Sequence, residues 1–259
     1  MEHVICPLSI VPVRKEPSDR SEMTSQWLFG ETAEVLERKS PSQGSGWSLL
    51  RFDHDGYEGW VDNKQLADCT TPNFDPDLRV SDLTSIVDLG DRQVLLPYGA
   101  VLPFYHHGSI LWQDRRVPVN ALHNVRDMDP GDRAMAIDAY MHPFLGAPYL
   151  WGGRTPTGVD CSGLTQMLFM LMGIYLPRDA YQQAEEGDVI ELVDLAEPGD
   201  LAFFDNAEAR IVHVGIVLPE RRILHASGRV RVDALDQEGI FDAEDGKYSH
   251  QLRLVKRVL

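Results

Sequence analysis

The chain has 259 residues, 43% of them hydrophobic and 8% aromatic, and carries a formal charge of -16. That length exceeds one average domain, and the apolar share suffices for real cores. The acidic balance speaks against a phosphate backbone or an anionic leaflet as partner, and no apolar run is long enough to span a bilayer, so neither nucleic acid nor a membrane is expected. Met1 to Pro7 lacks a basic segment followed by an apolar one, which makes a cytoplasmic location the expectation. Cys6, Cys69 and Cys161 form an odd set with no paired spacing, so no disulfide framework is expected and a reducing compartment fits. Cys-x-x-Cys and His-Glu-x-x-His patterns are absent from the sequence, and no metal is expected; His106-His107 reads as a solvated pair in a turn.

Residues 3–68 read as short strands separated by turns. Val4-Ile5, Ile10 to Val13, Thr32 to Leu36, Trp47 to Phe52 and Tyr57 to Val61 carry β-rich or alternating residues. His54-Asp55-Gly56 supplies a hairpin turn whose Asp-Gly step favours positive φ. So many short strands in so few residues predict a small barrel. The order Pro12-Val13-Arg14, Gly30-Glu31, Gly46-Trp47 and Gly59-Trp60-Val61 resembles a bacterial SH3 domain, expected over residues 1–70.

Thr71 to Pro76 reads as a linker by its prolines and turn residues. Residues 71–127 resemble a second, divergent SH3-like module, with strands in Val80, Leu83 to Leu89, Val94 to Leu96, Val101 to Phe104 and Ile110 to Trp112. The Gly-Trp-Val signature is missing there, and a structural spacer is the competing reading.

After Asp129-Pro130-Gly131-Asp132 the period changes. Arg133 to Met141 has helical spacing and ends before His142-Pro143, since a residue preceding proline disfavours helix. Tyr149 to Gly158 is broken by Gly and Pro. The apolar run Leu164 to Met172 that follows predicts a buried helix with Asp160 or Thr157 near its N-cap. Cys161 thus falls in the first turn of a core helix, where free N–H groups and the positive dipole end lower a thiol pKa and can hold an oxyanion. A buried structural cysteine is the alternative on position alone. Leu201 to Phe204, Val212 to Leu218 and Arg222 to Ala226 read as strands, so residues 128–259 form an α+β domain.

His213 sits inside the apolar strand Ile211 to Val217, and His225 lies on the next strand. Each alone reads as a hydrogen-bonded core histidine. With Cys161 they supply a nucleophile, a base and a group that orients the base.

Tyr149-x-Trp151-Gly152-Gly153, Asp160-Cys161-Ser162-Gly163-Leu164, Leu176-Pro177-Arg178, Pro198-Gly199-Asp200-Leu201, His213-Val214-Gly215-Ile216 and His225-Ala226-Ser227 occur in that order. This set resembles the NlpC/P60 family of papain-like cysteine peptidases, which hydrolyse bacterial cell-wall peptides. The resemblance implies Cys161 as nucleophile, His213 as general base, His225 as the residue orienting it, and Tyr149 as an oxyanion donor beside the Cys161 N–H. Trp151, Asp160, Ser162 and Asp179 join the substrate-binding candidates. Capping and dipole roles compete at Ser162 and Asp160, and Arg178 reads as a structural ion-pair partner. The family often has a serine two positions after that arginine; here Ala180 stands there, after Asp179. Asp200 reads as a turn residue opening the strand region.

Two SH3-like modules before such a domain resemble the YkfC-like, dipeptidyl-peptidase VI group. That group cleaves between γ-D-glutamate and L-lysine or meso-diaminopimelate in peptides with a free N-terminal L-alanine. By this resemblance Glu22 and Tyr57 of the first module are expected to bind the substrate ammonium, with Glu31 as the rival carboxylate and a solvated loop as the other reading of Glu22. The chemistry needs no cofactor. The expectation is therefore a recycling endopeptidase for muropeptides; the alternatives are an exported endopeptidase of intact wall and an inactive wall-peptide-binding module.

Overall fold

Val11 and Val13 turn inward from the strand Ile10–Arg14 while Ile10, Pro12 and Arg14 stay partly exposed, the two-residue period that lets one face of a strand build a core. In the computed structural model, which describes residues 2–39, 46–69, 78–80, 82–83, 85–113, 115–119, 123–124 and 133–258, this strand is β2 of seven. The others are β1 (His3–Ile5), β3 (Met23–Leu28), β4 (Thr32–Lys39), β5 (Trp47–Phe52), β6 (Glu58–Asp62) and β7 (Ala67–Asp68). They form one antiparallel sheet in the order β3-β2-β6-β5-β4-β1-β7 around Val4, Val11, Val13, Trp27, Leu50, Phe52 and Val61. Gly59 has a plain reason to be glycine: a Cβ there would lie 2.2 Å from Val13 Cγ1. At the β5–β6 turn Gly56 takes φ +70° and donates to the Phe52 carbonyl, as the Asp-Gly step predicts.

The chain divides into two compact units, Met1–Asp127 and Met128–Leu259. The linker read at 71–76 and the turn at 129–132 lie outside the described residues. Within the first unit, short antiparallel pairs follow: β8 (Leu78–Arg79) with β13 (His123–Asn124), β9 (Ile86–Asp88) with β10 (Gln93–Leu95), and β11 (Ser109–Trp112) with β12 (Arg115–Pro118). Their core of Val80, Val87, Leu96, Leu102, Ile110 and Trp112 takes in Ile5 of β1 and Phe29 from the turn after β3, and the Phe29 and Trp112 rings stack at 4.9 Å. Val101 to Phe104, expected as a strand, contributes one isolated bridge between Val101 and Arg79. Pro103 lacks an N–H, and the amides of Val101 and Leu102 go to the carbonyls of Phe29 and Leu78.

In the second unit α1 (Arg133–Met141) buries Ala136, Ile137 and Tyr140 and stops at His142-Pro143. The hairpin β14 (Arg154–Thr155) and β15 (Gly158–Val159) leads into α2 (Cys161–Leu171), in which every residue is buried. Its Leu, Met and Phe residues place it inside, with Ser162, Thr165 and Gln166 buried and hydrogen-bonded, and each fully buried Leu or Met contributes about 1.5–3 kcal/mol. Asp160 is its N-cap, accepting from the Gly163 N–H at 2.7 Å. After the short α3 (Ala180–Gln183), an antiparallel sheet runs in the order β16-β22-β17-β18-β19-β20-β21, and β21 also pairs with β22. These strands are Asp188–Ile190 (β16), Leu201–Asp205 (β17), Ile211–Leu218 (β18), Arg222–Ser227 (β19), Arg229–Leu235 (β20), Gly239–Asp242 (β21) and Lys247–Arg257 (β22). The α+β expectation for this half therefore holds, with α2 laid against β18 and β19.

Candidate active site

The glycine-rich segment before α2 packs backbone on backbone. The Gly153 carbonyl lies where a Cβ on Gly163 would be, 2.2 Å away, and a Cβ on Gly153 would lie 2.4 Å from the Gly158 carbonyl oxygen. That close fit fixes Cys161 at the first helical position. Asp160 spends its oxygens inside the protein: they accept from the N–H groups of Gly152 (2.8 Å) and Gly163, and from Arg178 Nη1 (3.1 Å) and Nη2 (2.6 Å). Arg178 also donates to Ser162 Oγ at 3.0 Å, and both residues are buried. Asp160, Ser162 and Arg178 thus form the framework under Cys161. Asp160, expected as a substrate contact, accepts from these four donors and from Ser162 Oγ at 3.4 Å.

Cys161 is 6% exposed. Burial first, then the Asp160 carboxylate, push its thiol up to about 11, against the pull of the Val214 and Ser162 amides and of Arg178. The expected lowering by the helix start is outweighed by desolvation. The Val214 amide at the sulfur puts the thiol beside β18, one residue from His213. Tyr149 is half-buried, and burial, then Cys161 and Asp160, hold its phenol well above the usual tyrosine range, so it keeps its proton and can donate.

His213 and His225 are both buried, and His213 Nε2 lies 3.0 Å from His225 Nδ1. Gly215, paired with His225 across the strands, again leaves no room for a Cβ, which would lie 2.7 Å from Ile223. Sequence reasoning missed two neighbours. Asp233 Oδ2 lies 2.8 Å from His225 Nε2, and the His250 ring stacks on that of His213 at 4.1 Å and 21°. Asp233 could have been sought in the alternation of Arg229 to Asp233; His250 lies in a stretch too polar to signal a strand. Burial, His250 and His225 hold His213 well below the usual histidine range, and burial brings His250 down to about 4. One nitrogen from each of His213, His225 and His250 lies within 4.8 Å of the others, the one grouping of metal-ligand type among the described residues, although His213 and His225 already bond each other.

The remaining candidates lie on the segment before α2, at the start of α3, just before β17 and in the first unit. Trp151 is 59% exposed beside Gly152. Asp179 is the N-cap of α3, its N–H donating to Gln182 Oε1 at 3.2 Å. Asp200 is fully buried and paired with Arg257 at 2.8 Å. Glu22, Tyr57 and Glu31 belong to the first unit. Glu22 is exposed and pairs with Lys15 at 3.4 Å, Tyr57 packs on the β1–β7 core, and Glu31 is buried, accepting from the Leu28 N–H at 2.9 Å.

A γ-D-glutamyl-L-lysine dipeptidyl-peptidase of Bacillus subtilis (strain 168) is 33% identical over 220 residues, spanning 78% of this chain and 71% of that one. The NlpC/P60 family pattern matches residues 146–244. The chain belongs to the NlpC/P60 family. It is a cysteine peptidase of that type, and residues 13–66 match the bacterial dipeptidyl-peptidase SH3 domain. A second relative of the same description, from Bacillus cereus, is 25% identical over 81% of this chain and 68% of its own. A probable endopeptidase of Mycobacterium bovis is 40% identical over 44% of this chain, which is only 29% of the relative. Among solved structures, an NlpC/P60 family protein from Bacillus cereus ATCC 10987 has a TM-score of 0.78, with 99% of each chain covered at 18% identity, a likeness of fold.

Proposed function

We propose that this NlpC/P60 peptidase hydrolyses the bond between γ-D-glutamate and an L-diamino acid in muropeptides with a free N-terminal L-alanine. The observation that carries the reading is Cys161 at the start of α2 with the Val214 amide at its sulfur, next to a His213 whose Nε2 is engaged by His225. The Bacillus relatives are γ-D-glutamyl-L-lysine dipeptidyl-peptidases that match 78% and 81% of this chain, which supports the substrate class.

The resting state is a thiol facing a neutral imidazole. His213 takes the proton as Sγ attacks the γ-carbonyl carbon, and the oxyanion receives the Cys161 N–H and the Tyr149 hydroxyl. The imidazolium then protonates the departing amine, leaving a thioester. Water, deprotonated by His213, attacks that thioester and releases the D-glutamyl product and the thiol. Helix-start amides suit this sequence because they hold a charge that exists only in flight.

On the same reading, residues 1–70 and 71–127 are two SH3-like modules ahead of the peptidase domain 128–259. Glu22 and Tyr57 receive the alanine ammonium, and the enzyme works in the cytoplasm on recycled fragments. Mass spectrometry on L-Ala-γ-D-Glu-L-Lys, its diaminopimelate counterpart and the N-acetylated forms tests this. Cleavage after D-Glu that needs both Cys161 and a free alanine amine is expected. Equal cleavage of acetylated peptides would remove Glu22 and Tyr57 from the reading, and activity surviving Cys161→Ala would overturn it. Fractionation of producing cells tests the location.

A further inference from the structure

We propose that Asp233, clamped by Arg231, is a positioning residue that sets through His225 the tautomer in which His213 acts as a base. The inference rests on the reading of His213 as base, but its geometry stands by itself. A carboxylate only accepts, so the 2.8 Å contact requires the proton on His225 Nε2. A neutral imidazole has one N–H, which leaves His225 Nδ1 an acceptor. The 3.0 Å contact then requires the proton on His213 Nε2. His213 Nδ1 is left bare, the nitrogen able to take the thiol proton. One buried carboxylate thus decides, two rings away, where a proton sits.

The direction of that carboxylate is itself held. Arg231 donates from Nε to Asp233 Oδ2 at 2.7 Å and from Nη2 to Oδ1 at 2.8 Å, and its guanidinium is anchored by Asp242 at 3.1 Å and approached by Glu244 at 3.5 Å. Strand pairing explains why these residues meet. His225 stands opposite Arg231 across β19 and β20, and Asp233 follows two residues on, on the same face.

Arg231 has a second effect. A protonated His225 would donate from both nitrogens, force the His213 proton onto Nδ1 and silence the base. The Asp233 carboxylate favours that cation, whereas burial and the Arg231 charge oppose it, and the balance leaves His225 below the usual histidine range. Among the described residues, the other titratable groups beside this chain are His250, on the ring face of His213, and Asp242 and Glu244 behind Arg231. The clamp therefore serves both orientation and charge.

The test is the histidine tautomer by long-range 1H–15N NMR on the full chain at neutral pH, with kcat/KM measured beside it. Wild type is expected to carry its proton on Nε2 of both His213 and His225. In Asp233→Asn the amide can donate to His225 Nε2, and the protons should shift to Nδ1 of both rings. The expected fall in kcat/KM is roughly 10²–10⁴-fold, the range of general acid–base catalysis. Arg231→Met should move the acid limb of the pH–rate profile to higher pH, which a merely structural loss would not do. His213 protonated on Nδ1 in wild type would overturn the proposal even if the variant fails to fold. So would an Asp233→Asn enzyme with unchanged tautomers and kcat/KM within twofold. Because the spectra need no substrate, they decide the relay even if no muropeptide is cleaved, and that outcome would count against the functional reading alone.

Discussion

Replacing Arg178 by Met would strand the Asp160 carboxylate under the catalytic helix. The guanidinium is 1% exposed and donates to both carboxylate oxygens of Asp160 and to Ser162 Oγ. Asp160, 6% exposed, would keep the amides of Gly152 and Gly163 but lose its only cationic partner among these contacts. Removing one partner of a buried pair costs about 3–5 kcal/mol, because the remaining charge stays desolvated. For a domain of this size that is roughly a 10–20 °C fall in the melting step belonging to Met128–Leu259. Circular dichroism melts of the full chain, with chemical denaturation at 25 °C, measure it directly. Asp160→Asn added to Arg178→Met removes the stranded charge and should recover about 1–3 kcal/mol, the size of coupling between contacting residues. Activity should fall in the single variant, since Asp160 caps the helix that presents Cys161. A loss under about 1 kcal/mol would put the Arg178–Asp160 pair at the level of a solvent-screened surface pair and rule out a stranded buried charge.

Gly163→Ala should cripple the enzyme and lower its melting temperature, because a Cβ there meets the Gly153 carbonyl at 2.2 Å; wild-type stability would show that the loop can yield. With the Cys161 thiol at about 11, the thiolate fraction at pH 7 is near one in ten thousand. Iodoacetamide labelling of Cys161 in His213→Ala protein should therefore climb steadily with pH through the neutral range, and a flat profile between pH 5 and 8 would contradict this. His250 has a folded pKa of about 4 against 6.5 in the unfolded chain, so protonation favours unfolding. Its contribution is whole above about pH 6.5 and is lost as pH falls toward 4. His213, shifted the same way, adds to that loss, and a melting temperature that rises on acidification across this window would be the wrong sign. EDTA should leave activity intact while Zn2+ inhibits reversibly, since a metal on His213 and His225 must break the hydrogen bond between them; activation by Zn2+ would reverse the expectation.

Much of the site is legible along the chain because its signals are local. A glycine-rich break, a capping aspartate and an apolar run specify a helix start, and Asp160 does cap α2. An isolated histidine in an apolar strand is visible from its two neighbours. His250 is hidden for the opposite reason: Tyr248 to Arg253 alternates mainly polar residues, and only pairing with β17 and β21 makes it a strand beside His213. Asp233 reads as one more charge in Arg229 to Asp233 until β19 lies next to it.

The order of residues along the chain specifies which chemistry is available and on which elements it rides: a thiol at a helix start, two strand histidines and glycines where backbones must touch. These follow from backbone sterics and local donor and acceptor patterns, which act over a few residues. The protonation of the site comes from packing in three dimensions. Desolvation lifts the Cys161 thiol although the helix start pulls it down, and a carboxylate on a neighbouring strand chooses the nitrogen of His213 that can act. Both depend on what surrounds a group in space, and burial and hydrogen bonding across a sheet join residues that the chain keeps apart.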